Sequence, residues 1–478
     1  MADIEAVALS GWPPEVMAYA MAMYSRSRLS VRESIRKITL EKTASFLETF
    51  YFQYGHSSIA DNAHIHLGIE NIPQLAAFEL EDEQLWDGQE RSTRYQEFRE
   101  NEADFVPAYV RISPAEKTYV MIAEFLFSQY QRYSNLCFEH LAKKHPKPQD
   151  MDQGSYERTM KARAFDVSRY WLPNGMRTSV GQITNARTLE RQISRLLSSD
   201  YLELVDLGMR IKKAVSVDQP FCPEERQEGP VAPTLIKYAE PNEFIVKLRQ
   251  FVREAGKRYV SGSPPTNHEV SLVPGGDIQQ DIVAALLYEG SQDSLRRCYE
   301  ATVRMGKSAI TDLVTEVAAL RGRHDPLPKA FAAGYGIQFD VCMDTGGRRD
   351  LHRHRNCVQI HQGFSVVRGF ETPTLIDEIG MGEHFRSQMG IIGQRIADLE
   401  KSIYNNAHFL IPMAFRAGTL YRMDYRQAEY LTALRSKPGG HFSYRQVACE
   451  MDEQLRKFFP GVGMSRVTPL AEEDVFKR

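Results

Sequence analysis

The hydrophobic and polar positions at the start of the chain predict a strand, a break and a helix. Ala6–Leu9 is a short apolar run of the kind that forms a strand. Pro13 and Pro14 follow it, and proline is favourable at a helix start because its missing N–H would have no partner there. A helix is then expected from about Glu15 to Tyr24, since apolar side chains recur on one face at helical spacing.

The same order of elements returns in the second half of the chain. Glu269–Val273 predicts a short strand, and a Pro/Gly break leads into a helix from Asp277 to Tyr288. Asp277 is expected to cap this helix, with Gln280 reaching back in the manner of a capping box. Tyr24 and Tyr288 occupy equivalent places in the two patterns, at an offset of 264 residues.

A second pair of patterns indicates that the chain is a tandem duplication. Pro173 and Pro412 are each followed by Asn or Asp at +12 and by Arg at +14, at an offset of 239 residues, which is half of the 478-residue chain. We therefore expect two diverged copies of one domain. The expected parts are a first copy over 1–219, a linker over 220–265 with a helix from Glu243 to Lys257, and a second copy over 266–478.

Composition excludes several classes of protein. The formal net charge is −3, so bulk attraction to a nucleic-acid polymer is not indicated. Six scattered cysteines without a C-x-x-C pair argue against a zinc ribbon or a disulfide framework, and no metal site is predicted. No secretory signal is visible, and no run of about 18 apolar residues exists that would span a membrane. A cytoplasmic location is the expectation.

The strongest chemical signal is a basic run at residues 348–355, which holds four arginines and two histidines. It follows the apolar run Ile337–Met343, which predicts a strand. Clustered guanidinium groups repel one another, and each is satisfied best by a bidentate anion. A phosphate-rich ligand fits this run, whereas the alternative is a solvated basic loop.

The spacing of this run resembles the signature of the ThyX-type flavin-dependent thymidylate synthases. Arg349 and Asp350 stand where that family has an Arg-Gln pair, and Arg353, His354 and Arg355 match its Arg-His-Arg, which grips the flavin phosphates. The two serines and the closing Ser-x-Arg-Tyr of the family motif are missing from this copy. They occur instead in the first copy.

In the first copy, residues 55–62 resemble the family's His-x-Ser/Thr-x-x-Glu-His element, which contacts the flavin. His56 and Ser58 are present, and Asp61 replaces the glutamate. The resemblance implies that these three side chains bind FAD.

Residues 89–95 match the closing Asn-Glu-x-Ser-x-Arg-Tyr of the family nearly position for position, with Glu90, Ser92 and Arg94 in the key places. A hydroxyl and a guanidinium two residues apart in a turn can converge on one phosphate. The family's Arg-His-Arg position is acidic in this copy, at Glu81–Glu83, and carboxylates there would repel a diphosphate.

Further family elements follow in the first copy. Arg169 lies in a version of the Ala-Arg-x-x-Leu-Pro element, and Asn185 and Arg187 form the Asn-Ala-Arg element. Arg195, one residue short of the usual spacing, stands for the next nucleotide-contacting arginine.

The resemblance implies that each copy is an α/β (α+β) domain with a sheet packed against long helices. It also implies reductive methylation of dUMP to dTMP. Methylenetetrahydrofolate would donate the carbon, FAD would carry the hydride and carbon, and NADPH would be the reductant. The implied nucleotide-binding residues are Glu90, Ser92, Arg94, Arg169 and Arg195. The implied FAD-binding residues are His56, Ser58, Asp61, Asn185, Arg187, Arg353, His354 and Arg355. Arg349, Asp350 and Arg195 are the implied catalytic residues, with Arg349 and Asp350 at the nucleotide–flavin junction.

Each copy lacks what the other retains, so we expect a composite site that draws on both. Family members are usually homotetramers of a single domain, which predicts a homodimer of this duplicated chain with about two working sites. Two alternatives remain open: flavin-dependent C5-alkylation of another pyrimidine nucleotide, and a non-catalytic ThyX-like paralogue.

Overall fold

The computed structural model describes most of the chain. The described residues are 12–24, 40–48, 57–98, 105–218, 220, 229–273, 277–320, 328–331, 336–423, 425–458, 467–471 and 475–476. The predicted strand Ala6–Leu9 and His56 lie outside them. Within them, no helix is long and apolar enough to cross a membrane.

The chain separates into two compact units that interleave along the sequence. The smaller unit comprises Met1–Glu70, Leu85–Glu90 and Ser179–Ile245, and the larger unit comprises Asn71–Gln84, Arg91–Thr178 and Val246–Arg478. The predicted domain boundaries at 219/220 and 265/266 instead give each domain one continuous stretch of sequence. These boundaries stay a prediction.

The elements before residue 220 include helices and a three-stranded sheet with the order β1-β3-β2. The strands are β1 His64–Pro73, β2 Trp86–Glu90 and β3 Arg177–Asn185. The α-helices are Pro14–Tyr24, Leu40–Leu47, Gln74–Glu81, Ala108–Arg111, Glu116–Lys144, Gln153–Ser168, Ala186–Leu197 and Leu202–Ser216. Two 3₁₀ turns occupy Ser57–Asn62 and Arg169–Trp171.

The elements after residue 240 surround an antiparallel sheet with the order β4-β5-β7-β6. The strands are β4 Glu269–Leu272, β5 Ile337–Asp344, β6 Val358–His361 and β7 Arg416–Met423. The α-helices are Glu243–Tyr259, Ile278–Glu289, Leu295–Ala319, Thr345–His352, Thr374–Glu378, Gly382–Ile403, Tyr425–Arg435 and Phe442–Phe458. Two 3₁₀ turns occupy Lys329–Phe331 and Tyr404–Leu410.

Helices cover both faces of the four-stranded sheet. Leu420 of β7 packs with the helices Ile278–Glu289 and Leu295–Ala319, whereas its neighbour Tyr421 packs with the helix Phe442–Phe458. Successive side chains of a strand point to opposite faces, so a strand covered on both sides is apolar throughout. All eight residues of β5 are buried, which confirms the strand predicted from its apolar run. The sheet with helices on both faces confirms the predicted α/β fold class.

Most predicted helix boundaries agree with the structure, and one cap differs. Asp277 caps its helix, since its side chain accepts hydrogen bonds from the backbone N–H groups of Gln279 and Gln280. The side chain of Gln280 does not complete a capping box. It donates instead to Thr302 Oγ1 at 3.0 Å, because a neighbouring helix brings that hydroxyl within reach.

Corresponding segments of the two predicted copies meet within the larger unit. Pro173 and Pro412 form an antiparallel bridge. The N–H of Asn174 donates to Ile411 O at 3.0 Å, and the N–H of Met413 donates to Leu172 O at 2.9 Å. Each of these bonds maps onto the other by the offset of 239, so a local pseudo-two-fold axis passes between the two prolines.

Candidate functional site

The basic run is mostly helical and buried, which differs from a solvated loop. β5 ends at Asp344, and its side chain caps the helix Thr345–His352 by accepting from the N–H of Gly347 at 2.6 Å. Ser443 donates its hydroxyl to the other carboxylate oxygen of Asp344. These contacts fix the helix start and set the direction of the arginines that follow.

Two arginines from different family motifs share one hydroxyl. Arg169 and Arg349 each donate to Thr93 Oγ1 at 3.1 Å. Thr93 lies between the predicted site residues Ser92 and Arg94. The structure therefore joins motifs that are 256 residues apart in the chain.

Asp350 lies at the centre of an excess of positive charge. Its side chain is 14% exposed, and its carboxylate lies 3.9 Å from Arg169 Nη2. Burial favours its neutral form, but the surrounding guanidinium groups outweigh burial and hold the pKa of Asp350 below its usual range. The arginines that act on it are Arg169, Arg353, Arg94 and Arg435. Four arginines against Asp350 and the Asp166 partner of Arg94 leave an excess of positive charge, which suits an anionic ligand.

Arg94 faces a carboxylate that the sequence analysis missed. Its guanidinium binds Asp166 in a bidentate manner, at 2.5 Å from Nε and 2.9 Å from Nη2. It also donates to Tyr444 Oη at 3.3 Å and to the carbonyl of Gly439 at 3.2 Å. Burial alone would lower the pKa of Arg94, but Asp166 outweighs it and raises that pKa. The only sequence signal for Asp166 is its place three residues before Arg169.

The turn around Ser92 also differs from the arrangement expected from its spacing. Ser92 Oγ accepts from the backbone N–H of Arg94 at 3.2 Å, whereas the guanidinium of Arg94 is directed at Asp166. In this structure the hydroxyl shapes the turn. A nucleotide-binding role for Ser92 and Arg94 stays a prediction.

We expect Asp166→Ala to destabilise the protein strongly. The Arg94 and Asp166 side chains are only 11% and 5% exposed, so the variant leaves a buried guanidinium without its bidentate partner. Removing one partner of a buried ion pair lowers the free energy of unfolding by about 3–5 kcal/mol. Equilibrium unfolding in urea measures the change. Asp206→Ala is the matched control, because it breaks an exposed pair with Arg210 and should change little. Equal effects of the two variants would contradict this assignment.

His354 is engaged inside the protein. Its Nε2 accepts from Arg435 Nε at 2.6 Å, and its carbonyl accepts from Gln359 Nε2 at 2.7 Å. Burial first, and then the charge of Arg435, lower the pKa of His354 to about 3. The neutral imidazole therefore holds Arg435, whose charge also acts on Asp350. A contact of His354 with FAD stays a prediction.

Arg353 and Arg355 have different surroundings although they are two residues apart. Arg353 is exposed and acts on Asp350. Arg355 lines a pocket together with the acidic segment Glu81–Glu83 and Lys329. The acidic segment of the first copy thus lies beside one arginine of the second copy.

The same region brings together three residues that could hold a metal ion. One ligand atom from each of Asp82, His352 and His361 lies within 4.8 Å of the others. Lys329 donates its ammonium to the Asp82 carboxylate, which places a positive charge at this cluster already. No metal site is predicted from the sequence, and its absence stays a prediction.

The remaining predicted residues belong to the smaller unit. Asp61 accepts from Arg187 Nη1 at 3.1 Å, so the aspartate that replaces the family's glutamate forms an ion pair. Asn185 caps the helix Ala186–Leu197 by accepting from the N–H of Thr188 at 2.8 Å. The other members are Glu90, buried at the end of β2, Arg195, half-buried on the helix Ala186–Leu197, and Ser58 in the turn Ser57–Asn62.

The fold and the arginine cluster define an α/β protein suited to anionic ligands. Comparison with known protein families identifies the family to which it belongs. The family model described as thymidylate synthase complementing protein matches the chain twice, over residues 8–201 and 258–461. The chain therefore belongs to this family, which is the ThyX family indicated by its motifs. The two matches confirm both the resemblance and the tandem arrangement.

Curated relatives share the length of the chain but have uninformative names. A UPF0159 protein of Chlamydia muridarum is 24% identical over 494 residues, which cover 96% of this chain and 90% of the relative. A UPF0159 protein of Chlamydia pneumoniae is 24% identical, with 95% and 89% covered. UPF0159 protein Ta1429 of Thermoplasma acidophilum is 22% identical, with 88% of each chain covered.

Among solved structures, the chain is similar to the flavin-dependent thymidylate synthase ThyX of Helicobacter pylori complexed with FAD and dUMP. The similarity has 15% identity and a TM-score of 0.27, and it covers 48% of this chain and 96% of that one.

Proposed function

We propose that this protein is a flavin-dependent thymidylate synthase that converts dUMP to dTMP, with methylenetetrahydrofolate and NADPH as co-substrates. The observation that carries the proposal is the group of four arginines around Asp350. Arg94 and Arg169 come from the first copy, and Arg353 and Arg435 come from the second. Family membership supports the reaction class, and the excess of positive charge in this cluster supports binding of phosphorylated ligands.

The residues present suit an anionic nucleotide and an anionic cofactor. Arg169 would bind the nucleotide from a rigid position, because the residue is 1% exposed and its guanidinium donates to Thr93. Arg353 would bind the FAD phosphates from its exposed position beside Asp350. FAD, when bound, supplies the hydride and one-carbon transfer chemistry. The protein orients the ligands and offsets their charge.

The proposal includes a cytoplasmic homodimer, in which two duplicated chains provide four domains. Closed symmetry is the usual outcome for soluble oligomers. Each chain then contributes one Asp350 cluster, and the dimer contains two such clusters.

Rescue of a thymidine-requiring bacterial strain tests the proposed function. We expect the full chain to support growth without thymidine and to purify with the absorbance of bound flavin. Arg169→Ala should abolish rescue, whereas Arg395→Ala, which removes an exposed charge from the helix Gly382–Ile403, should not.

The other outcomes separate the alternatives. Bound flavin without rescue would favour C5-alkylation of a different pyrimidine nucleotide. Absence of both flavin binding and rescue would favour a non-catalytic paralogue.

A further inference from the structure

One arginine of the basic run has no explanation in the proposed function. Arg348 is 1% exposed, and none of its three guanidinium nitrogens has a hydrogen-bond partner among the residues that the structure describes. Burying an unpaired charge is strongly unfavourable unless a counter-charge is present. Its neighbour Arg349 differs in this respect, since Arg349 donates to Thr93.

Arg348 lines a small pocket with both aromatic and polar walls. Its guanidinium carbon lies 4.5 Å from the centre of the Phe78 ring and 5.9 Å from that of Phe364. The pocket is small and partly open to solvent. The remaining lining residues are Gln74, Asn174, Thr345, Arg349 and Met413.

The positive charge in this pocket persists at neutral pH. Burial lowers the pKa of the Arg348 guanidinium, but only to about 10. Asp82 is one of the carboxylates that act on Arg348, and Asp82 also accepts from the ammonium of Lys329. Arg349 lines the same pocket, so two guanidinium groups face a space whose other walls are neutral.

The pocket lies where equivalent helix starts of the two copies meet. The N–H of Gln74 donates to Met176 O at 2.8 Å, and the N–H of Thr345 donates to Phe415 O at 3.1 Å. Met176 and Phe415 are related by the offset of 239, so the two bonds are equivalent. The residue three places after Thr345 is Arg348, whereas the residue three places after Gln74 is Ala77. The positive charge of Arg348 therefore has no counterpart at the equivalent position of the first copy.

We propose that this pocket binds an oxyanion, a carboxylate or a phosphate, whose oxygens accept hydrogen bonds from the guanidinium of Arg348. A planar guanidinium offers paired N–H groups that match both oxyanions. Phe78, Phe364 and Met413 provide apolar walls for a carbon body attached to a carboxylate. Arg348 is not among the arginines that act on Asp350, although Arg349 lines this pocket and shares the Thr93 hydroxyl with Arg169 of that cluster. The proposal does not rest on the proposed function.

Anion-dependent stabilisation of the full chain tests the proposal. The thermal unfolding midpoint of the wild type and of Arg348→Met is measured against inorganic phosphate, acetate and benzoate, and dissociation constants are measured by calorimetry. We expect at least one probe to stabilise the wild type and to bind Arg348→Met at least about tenfold more weakly. Without a probe, Arg348→Met should be as stable as the wild type or more stable, because it removes an unpaired buried charge.

Two further variants keep the result interpretable. Arg395→Met removes an exposed charge and should respond to the probes as the wild type does. Arg348→Lys keeps the charge without the planar fork and should bind with intermediate affinity. It serves as the test variant if Arg348→Met does not fold.

The probes distinguish the sources of the anion. Tighter binding of benzoate than of acetate indicates a carboxylate with an apolar body, and a preference for phosphate indicates a free inorganic ion. Equal responses of wild type and Arg348→Met to all three probes would overturn the proposal. Loss of FAD from Arg348→Met would also overturn it as a separate site, because Arg348 would then belong to the cofactor site.

Discussion

Replacing Arg353 and Arg355 together by alanine is expected to release FAD from the protein. Each arginine offers charge-assisted hydrogen bonds to a phosphate, worth about 1.5–3 kcal/mol per bond. Loss of both should weaken FAD binding by at least about a hundredfold, since 1.4 kcal/mol corresponds to a factor of ten. The measurement is the flavin absorbance retained after gel filtration, followed by titration of the apoprotein with FAD.

The two single variants should not contribute equally. Arg353 is exposed beside the Asp350 cluster, whereas Arg355 shares its pocket with the acidic segment Glu81–Glu83. Carboxylates in that pocket oppose a diphosphate. We therefore expect Arg353→Ala to account for most of the loss.

The control for this experiment removes the same number of charges elsewhere. Arg386→Ala combined with Arg395→Ala takes two arginines from the helix Gly382–Ile403 and should leave FAD binding unchanged. If the Arg353/Arg355 double variant binds FAD with wild-type affinity, these arginines are not the cofactor ligands.

Mixing a chain that carries Arg94→Ala with one that carries Arg353→Ala is expected to restore no activity. The charges of Arg94 and Arg353 both act on Asp350 within a single chain. In a mixed dimer, each cluster would then lack one of the two arginines. Neither parent nor the mixture should convert dUMP to dTMP at a measurable fraction of the wild-type rate.

The mixing experiment needs a control for subunit exchange. Wild-type chains mixed with the double variant should keep activity in proportion to the wild-type chains, with exchange followed by a tag on one chain. Recovered activity in the Arg94→Ala and Arg353→Ala mixture would instead show that a site draws on copies from different chains. Unfolding curves of each variant must first show that it is folded, because Arg94→Ala leaves Asp166 without its partner.

Separate expression of the two copies addresses the same question. The fragments 1–219 and 266–478 are each expected to be inactive, because neither contains both Arg94 and Arg353. A rate near that of the full chain from the first fragment alone would rule out a composite site.

The order of secondary structure was readable from the sequence because its causes are local. The apolar run of β5, the proline at the start of the helix Pro14–Tyr24 and the cap at Asp277 each act within a few residues. The duplication was readable for a different reason: an offset of 239 preserves residue spacing even where side chains have diverged. The Gln280 side chain was predicted wrongly because its partner, Thr302, belongs to another helix.

The motif residues were identifiable from their spacing, but their partners were not. Arg94 and Asp166 are 72 residues apart, Arg349 and Thr93 are 256 apart, and Arg94 and Tyr444 are 350 apart. No local pattern encodes such pairs, because they form only when packing brings distant segments to hydrogen-bonding distance.

The arginines show this division between sequence and tertiary structure most clearly. The sequence by itself determined that four guanidinium groups occur between residues 348 and 355, and their density indicated an anionic ligand. Only the tertiary structure decided that Arg353 acts on Asp350, that Arg355 lies beside carboxylates and that buried Arg348 has no hydrogen-bond partner in the described part of the chain. The physical reason is that a charge depends on its solvent exposure and its neighbours in space, and neither follows from its position in the chain.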